Sequence, residues 1–163
     1  MAVLEKITPC LWFDDQAEEA AGFYTSIFRN SRIVNISRYG KAGFEAHGRA
    51  EGSVMTVEFE LEGRGFTAFN GGPVFTFNEA VSFQVACATQ VDLDHHWDRL
   101  LEGGRAQRCG WLKDRFGVSW QVVPVLLREI LNDPDAAKSN RAMQAMFEMR
   151  KFDIAALQKA YAG

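Results

Sequence analysis

The chain switches repeatedly between the two-residue hydrophobic period of strands and the three-to-four-residue period of helices. Residues Val3 to Phe13 are rich in β-branched and apolar types and run into Asp14-Asp15, which predicts a buried strand meeting a helix start. Asp15 is the expected N-cap, with Glu18 three residues on in the capping-box position. Ala20, Phe23, Tyr24, Ile27 and Phe28 then recur on one face, so a helix is predicted over about 15–29. Arg32 to Tyr39 and Val54 to Leu61 read as strands, the second alternating Val57, Phe59 and Leu61 with Thr56, Glu58 and Glu60. A short connection, Glu62-Gly63-Arg64-Gly65, joins Leu61 to a returning strand over Phe66 to Asn70, which makes a hairpin.

The turn formers Asn70-Gly71-Gly72-Pro73 close this series, and the same order begins again. Ala80 to Ala88 reads as a strand and Val91 to Leu101 as a helix with Leu93, Trp97, Leu100 and Leu101 on one face, ended by Gly103-Gly104. Arg105 to Trp111 and Val118 to Val123 read as strands around a polar turn holding Asp114 and Gly117. The two halves share element order and turn placement rather than sequence. Beyond Pro124 the pattern is helical: Val125 to Leu131, a break at Asn132-Asp133-Pro134-Asp135, Ser139 to Met149, and Asp153 capping Ile154 to Tyr161. Met143, Met146, Phe147 and Met149 make this tail apolar; a contact with a partner subunit is the favoured cover, and packing on the same chain is the alternative.

The 163 residues fit a single domain of class α+β, with a first module over about 3–72, a second over about 78–124 and a helical tail over about 125–163. Eighteen Lys and Arg against 21 Asp and Glu give a net charge of −3, without the positive field that nucleic acids require. The N-terminus lacks the pattern of a secretory signal, and no apolar run is long enough to span a membrane, so a soluble cytoplasmic protein with neither nucleic-acid nor membrane partner is expected. Cys10, Cys87 and Cys109 are too few and scattered for a disulfide framework and form no CxxC or Cys/His ligand motif. Of the three histidines, His95 and His96 are read as surface residues of the second helix and His47 as a solvated residue of the loop from Gly43 to Gly52.

Three segments carry a family resemblance: ITPCLWF with Phe23-Tyr24 and Ile27-Phe28; Ala68-Phe69-Asn70-Gly71-Gly72-Pro73; and above all Cys109-Gly110-Trp111-Leu112-Lys113-Asp114-Arg115-Phe116-Gly117-Val118-Ser119-Trp120-Gln121, of which Asp114 to Gln121 is the most specific part. They resemble the PhnB-like family, often labelled 3-demethylubiquinone-9 3-methyltransferase, within the glyoxalase/bleomycin-resistance/extradiol-dioxygenase (vicinal oxygen chelate) group. The resemblance implies two βαβββ modules curved around a cleft, usually in a module-sharing homodimer, and metal ligands on the first and last strands of each module. At those places this chain offers Thr8 or Pro9, Ala68 or Asn70, Ser82 or Gln84, and Gln121 where relatives end in Glu. No His or carboxylate fills them, so no bound catalytic metal and no other cofactor is expected.

Strand alternation assigns Leu11 and Phe13, and Phe83, Val85 and Cys87, to the helix side. It leaves Thr8, Cys10 and Trp12, with Ser82, Gln84 and Ala86, toward the cleft. The family alignment adds Asn70, Ser119 and Gln121, and Cys109, Trp111 and Glu58 complete the candidate ligand-binding set. Trp12 and Trp111 would stack on a flat ligand while Gln84, Asn70 and Gln121 fix its polar atoms. Gln84 and Gln121 could equally bond each other, the tryptophans could be packing residues, and Cys10 and Cys109 read as inert buried thiols. Glu58 and Glu60 could pair as carboxylates or simply be solvated, and Arg105, Arg108, Lys113 and Arg115 could meet an anion or line a solvated edge.

The function expected is binding of a small, partly aromatic or oxygenated molecule without a tightly held metal. The alternative is a metal-dependent lyase, isomerase or dioxygenase recruiting an ion through Gln121 and Glu58. Methyl transfer is remote, because Gly40, Gly43 and Gly48 are too spread out for a cofactor-binding glycine loop and the doubly wound order is absent.

Overall fold

A computed structural model describes residues 5–163. It divides into two compact units with the break between Phe77 and Asn78. Each unit is built on a four-stranded sheet with one helix against it.

In the first unit the elements are β1 (Cys10–Phe13), α1 (Ala17–Ile27), β2 (Arg32–Arg38), the one-turn α2 (Phe44–His47), β3 (Val54–Leu61) and β4 (Arg64–Asn70). The sheet order is β1-β4-β3-β2, with β1 parallel to β4 and the other pairs antiparallel. The hairpin turn is only Glu62-Gly63, both at positive φ (49° and 76°), and Arg64 and Gly65 already pair with β3. The strand expected from Val3 begins at Cys10: residues 3 and 4 lie outside the described residues, and Pro9, which has no N–H to give a ladder, only accepts through its carbonyl from Thr67. Helix α1 buries Ala17, Ala20, Ala21, Tyr24 and Ile27, and the Tyr24 ring stacks on Phe59 at 6.2 Å. Burial of large side chains such as Tyr24 and Phe59 contributes about 2 kcal/mol each.

Asp15 is not the cap of α1. The helix starts one residue later, its N-cap position is Gln16, and no local side chain caps it. The Oδ1 of Asn70, at the far end of β4, accepts instead from the Ala17 N–H at 2.8 Å. A further correction lies in the loop from Gly43 to Gly52, which contains α2; the ring of His47 packs on Tyr39 at 4.5 Å and its Nδ1 accepts from Arg49 N–H at 2.9 Å. His47 is therefore half-buried and engaged within its own loop.

The second unit contains β5 (Ser82–Cys87), α3 (Gln90–Leu101), β6 (Arg105–Ala106), β7 (Trp111–Lys113), β8 (Ser119–Pro124), α4 (Leu126–Asn132), α5 (Ala136–Glu148) and α6 (Ile154–Ala162). Its sheet order, β5-β8-β7-β6, repeats the first, again with the first and last strands parallel. Thr89 caps α3 locally, accepting from Asp92 N–H at 3.2 Å. The strand expected over Arg105 to Trp111 is two strands, because the chain turns at Cys109 and Gly110, both at positive φ (56° and 77°). That turn supplies the third strand of the repeat, and its N–H groups donate to Met149 and Arg150 of the tail at 2.9 and 2.8 Å.

The tail packs on its own unit. Ile130, Met146, Phe152 and Leu157 are buried within one chain. Gln90 fastens it, donating to the Phe152 carbonyl at 3.0 Å and accepting from Ile154 N–H at 2.8 Å, while Lys151 pairs with Asp94 at 3.1 Å. Phe147 stays 52% exposed. Among the described residues no helix is long and apolar enough to cross a membrane.

Candidate functional site

Each sheet has a face covered by its helix and an open face. In the first unit Leu11, Phe13, Val57, Phe59, Phe66 and Ala68 are buried on the covered side, leaving Cys10, Trp12, Thr56, Glu58, Thr67 and Phe69 on the open side. Register places Cys10 beside Thr67 and Thr67 beside Glu58, with Trp12, Phe69 and Thr56 forming the next row. Thr8 precedes the strand and is exposed.

Asn70 is a correction to the candidate set. It shares strand parity with Phe66 and Ala68, so it lies under α1, 5% exposed, and not on the open face. Its amide is committed at both ends: Oδ1 caps α1 and Nδ2 donates to the Val54 carbonyl at 3.1 Å. The Tyr39 hydroxyl donates to its main-chain carbonyl at 2.6 Å. Trp12 is on the open side but its indole N–H is spent on the Gly72 carbonyl at 2.8 Å, and Phe69 and Phe75 meet its ring edge-on, each with centroids at 4.9 Å. It can offer a ligand apolar surface only. Cys10 is exposed, not the buried thiol expected; partial desolvation of the sulfur raises its pKa, which keeps it protonated near neutrality. Glu60 is held by the Arg32 guanidinium at 3.0 Å, so Glu58 and Glu60 do not form a free carboxylate pair.

The second unit's open face is neutral and polar. Ser82, Ser119 and Lys113 form one row across β5, β8 and β7, and Gln84, Gln121 and Trp111 form the next. Gln121 Nε2 donates to Ser82 Oγ at 2.8 Å, and Gln84 Nε2 lies 3.4 Å from Gln121 Oε1, a long and weak bond. The amides do meet, but the contact leaves Gln84 exposed with hydrogen-bonding capacity in hand. Ser119 is 1% exposed, and its hydroxyl has no partner among the described residues. An orphaned buried hydroxyl costs about 1–3 kcal/mol. Trp111 is half-buried beside Gln121. Lys113 is neutralised by Glu79 at 2.7 Å, and with help from Gln107 this holds the Glu79 carboxyl down at about 2.

Cys109 is absent from this face. Its N–H donates to Met149, and its thiol lies 3.7 Å from the Met146 carbonyl, so it fastens the tail. Asp114, the first residue of the most specific sequence segment, organises the β7–β8 turn: one carboxylate oxygen accepts from Phe116 and Val118 N–H at 2.8 and 3.0 Å, the other from the Trp120 indole at 2.9 Å. Trp120 itself lies on the covered side, 3% exposed. On the first and last strands of the two sheets the open-side donors are a thiol, hydroxyls and amides, with no imidazole or carboxylate. Such a set does not fit a divalent catalytic ion.

Sequence reasoning missed two features. His96 is buried, 9% exposed, where a surface position was expected; its Nδ1 lies 3.2 Å from Asp92 Oδ1 and 4.0 Å from Cys87 Sγ. A notch of about 500 Å³ lies where Thr89, Gln90 and Asp94 meet Lys151, Phe152 and Gln158, and its polar lining includes Gln90, Asp94 and Lys151, already bonded to one another or to the main chain. No short-range pattern announces either, since both depend on which residues the tail and α3 bring together.

The profile of a family described as 3-demethylubiquinone-9 3-methyltransferase matches residues 5–123, both sheets and not the tail. Among solved structures, the PhnB protein from Bacillus cereus is 37% identical, with a TM-score of 0.66 over 74% of this chain and 100% of that chain. The fosfomycin resistance protein FosX from Listeria monocytogenes is 15% identical, with a TM-score of 0.54 over 82% of this chain and 99% of its own, a likeness of fold alone. Protein PA1353 from Pseudomonas aeruginosa, at 18% identity and TM-score 0.58 over 74% of this chain and 98% of its own, shares the fold in the same sense. No curated protein matches the sequence.

Proposed function

The chain belongs to the PhnB-like family described as 3-demethylubiquinone-9 3-methyltransferase and has the glyoxalase-type fold, and from that premise we propose that it binds a small oxygenated, partly aromatic molecule on its open sheet faces without a tightly held metal. The observation that carries this reading is the row Gln84, Gln121 and Trp111 beside Ser82 and Ser119 on the second sheet. Two amides and two hydroxyls supply donors and acceptors without charge, and an indole supplies a flat apolar surface, the combination that orients a neutral polar ligand. The orphaned Ser119 hydroxyl supports it, because unspent buried hydrogen-bonding capacity is a cost that a bound polar atom would remove.

A titration of isotope-labelled protein with small aromatic alcohols and amides tests the reading. The side-chain amide resonances of Gln84 and Gln121 should move together and saturably, and Gln121→Leu should abolish the response. Saturable binding that leaves both amides unmoved contradicts it. Methyl transfer, which the family description names, is the remote alternative: the order β1-β4-β3-β2 is not the doubly wound sheet that usually holds S-adenosylmethionine, and stabilisation of the protein against heat by that cofactor would favour it. The reading includes a homodimer, which sedimentation velocity would register as twice the chain mass.

A further inference from the structure

On the covered side of the second sheet, away from the open-face row, three chemically distinct metal-binding groups converge. Cys87 ends β5 and is fully buried, and α3 begins three residues later. Asp92 and His96 stand one turn apart on α3, so both side chains project toward the strand end. One donor atom from each lies within 4.8 Å of the other two: His96 Nδ1 is 3.2 Å from Asp92 Oδ1 and 4.0 Å from Cys87 Sγ.

We propose that Cys87, Asp92 and His96 form a binding site for a zinc-class divalent cation that ties α3 to the end of β5. Thiolate, imidazole and carboxylate are the donor types such ions prefer, and tetrahedral bonds of about 2.0–2.3 Å place donors roughly 3.5 Å apart. Two of the three edges, 3.2 and 4.0 Å, lie to either side of that value, and the third is no longer than 4.8 Å, so small side-chain rotations bring the donors to it. The Asp92 side chain is 43% exposed, which gives the ion an entry path and leaves room for water as a fourth ligand. Without an ion the trio is held by hydrogen bonds: His96 Nδ1 lies 2.9 Å from the Asp92 carbonyl. Desolvation, and then the Asp92 carboxylate, push the Cys87 thiol up to about 12. Binding would expel the thiol proton to solvent and move the imidazole proton to Nε2. The site is independent of the open-face reading, and either can fail without the other.

Cobalt(II) added to the purified full chain, followed by absorption, is the test. A thiolate-to-cobalt charge-transfer band saturating at one equivalent and displaced by zinc is expected. Cys87→Ser should remove the band, Asp92→Asn, a change at a half-exposed position that leaves the core intact, should weaken binding about tenfold, and Cys10→Ser should change nothing. A band that survives Cys87→Ser, one that vanishes with Cys10→Ser, or no band in the parent protein overturns the proposal.

Discussion

The two units repeat one scheme, a four-stranded sheet with a helix on one face, yet they solve the start of that helix in opposite ways. In the first, α1 has no local cap, and Asn70 reaches from the last strand to accept from Ala17 N–H. In the second, Thr89 caps α3 from the preceding residue, and the position of β8 paired with the last residue of β5 is Pro124. The same strand ends differ beneath the helices: Phe13 closes β1 with an aromatic contact to Phe77 at 5.2 Å, whereas Cys87 closes β5 among Asp92 and His96. The open faces differ as well, the first mixing Trp12 and Phe69 with Glu58, the second setting the amides of Gln84 and Gln121 and the Ser82 hydroxyl beside Trp111 and the Lys113–Glu79 pair. Element order is thus set by the repeat, while each unit carries its own polar chemistry on top of it.

The largest effect should come from the turn that only the second unit has. Asp114→Ala removes three hydrogen bonds to a buried carboxylate and strands the Trp120 indole, so a loss of about 3 kcal/mol is expected in denaturant unfolding. In the first unit Asn70→Ala should cost about 2 kcal/mol, since a cap and a buried donor to Val54 vanish together. Thr89→Ala should cost about 1 kcal/mol, because a lone exposed cap is lost; a cost equal to that of Asn70→Ala would break the contrast between remote and local capping.

The smallest effect concerns the Glu79–Lys113 pair beside the polar row. The folded-state pKa of Glu79 is lowered from 4.5 to about 2, so its contribution is present above the unfolded value and is lost as the pH falls toward 2. The pair is exposed, so added salt should shrink this contribution. Glu79→Gln should therefore lower the melting temperature slightly near neutrality, and the difference should shrink as the pH falls from about 4.5 through about 2. A difference that grows on acidification would reverse the sign and refute the assignment.

Periodicity revealed the doubled element order, α3, the Asp153 cap and the covered faces of β1 and β5, because each is set by residues close in sequence. The family alignment, not periodicity, puts Asn70 toward the cleft, and alternation offers no check because β4 carries phenylalanine on both faces, Phe66 covered and Phe69 open. Cys109 reads as a strand residue in sequence, yet it stands at φ 56° beside Gly110, where a Cβ would lie 2.4 Å from the Phe152 ring, a contact only the packed tail creates. The grouping of Cys87 with His96 was hidden for a related reason. They stand nine positions apart in sequence, and only the strand-to-helix return brings the sulfur to the imidazole.

Native mass spectrometry of protein purified without chelator tests the central claim most directly, comparing the parent with Gln121→Leu and Cys87→Ser. A bound organic molecule that disappears with Gln121→Leu and persists with Cys87→Ser is the predicted result. A divalent ion that disappears with Gln121→Leu yet persists with Cys87→Ser would contradict a neutral, metal-free binding face.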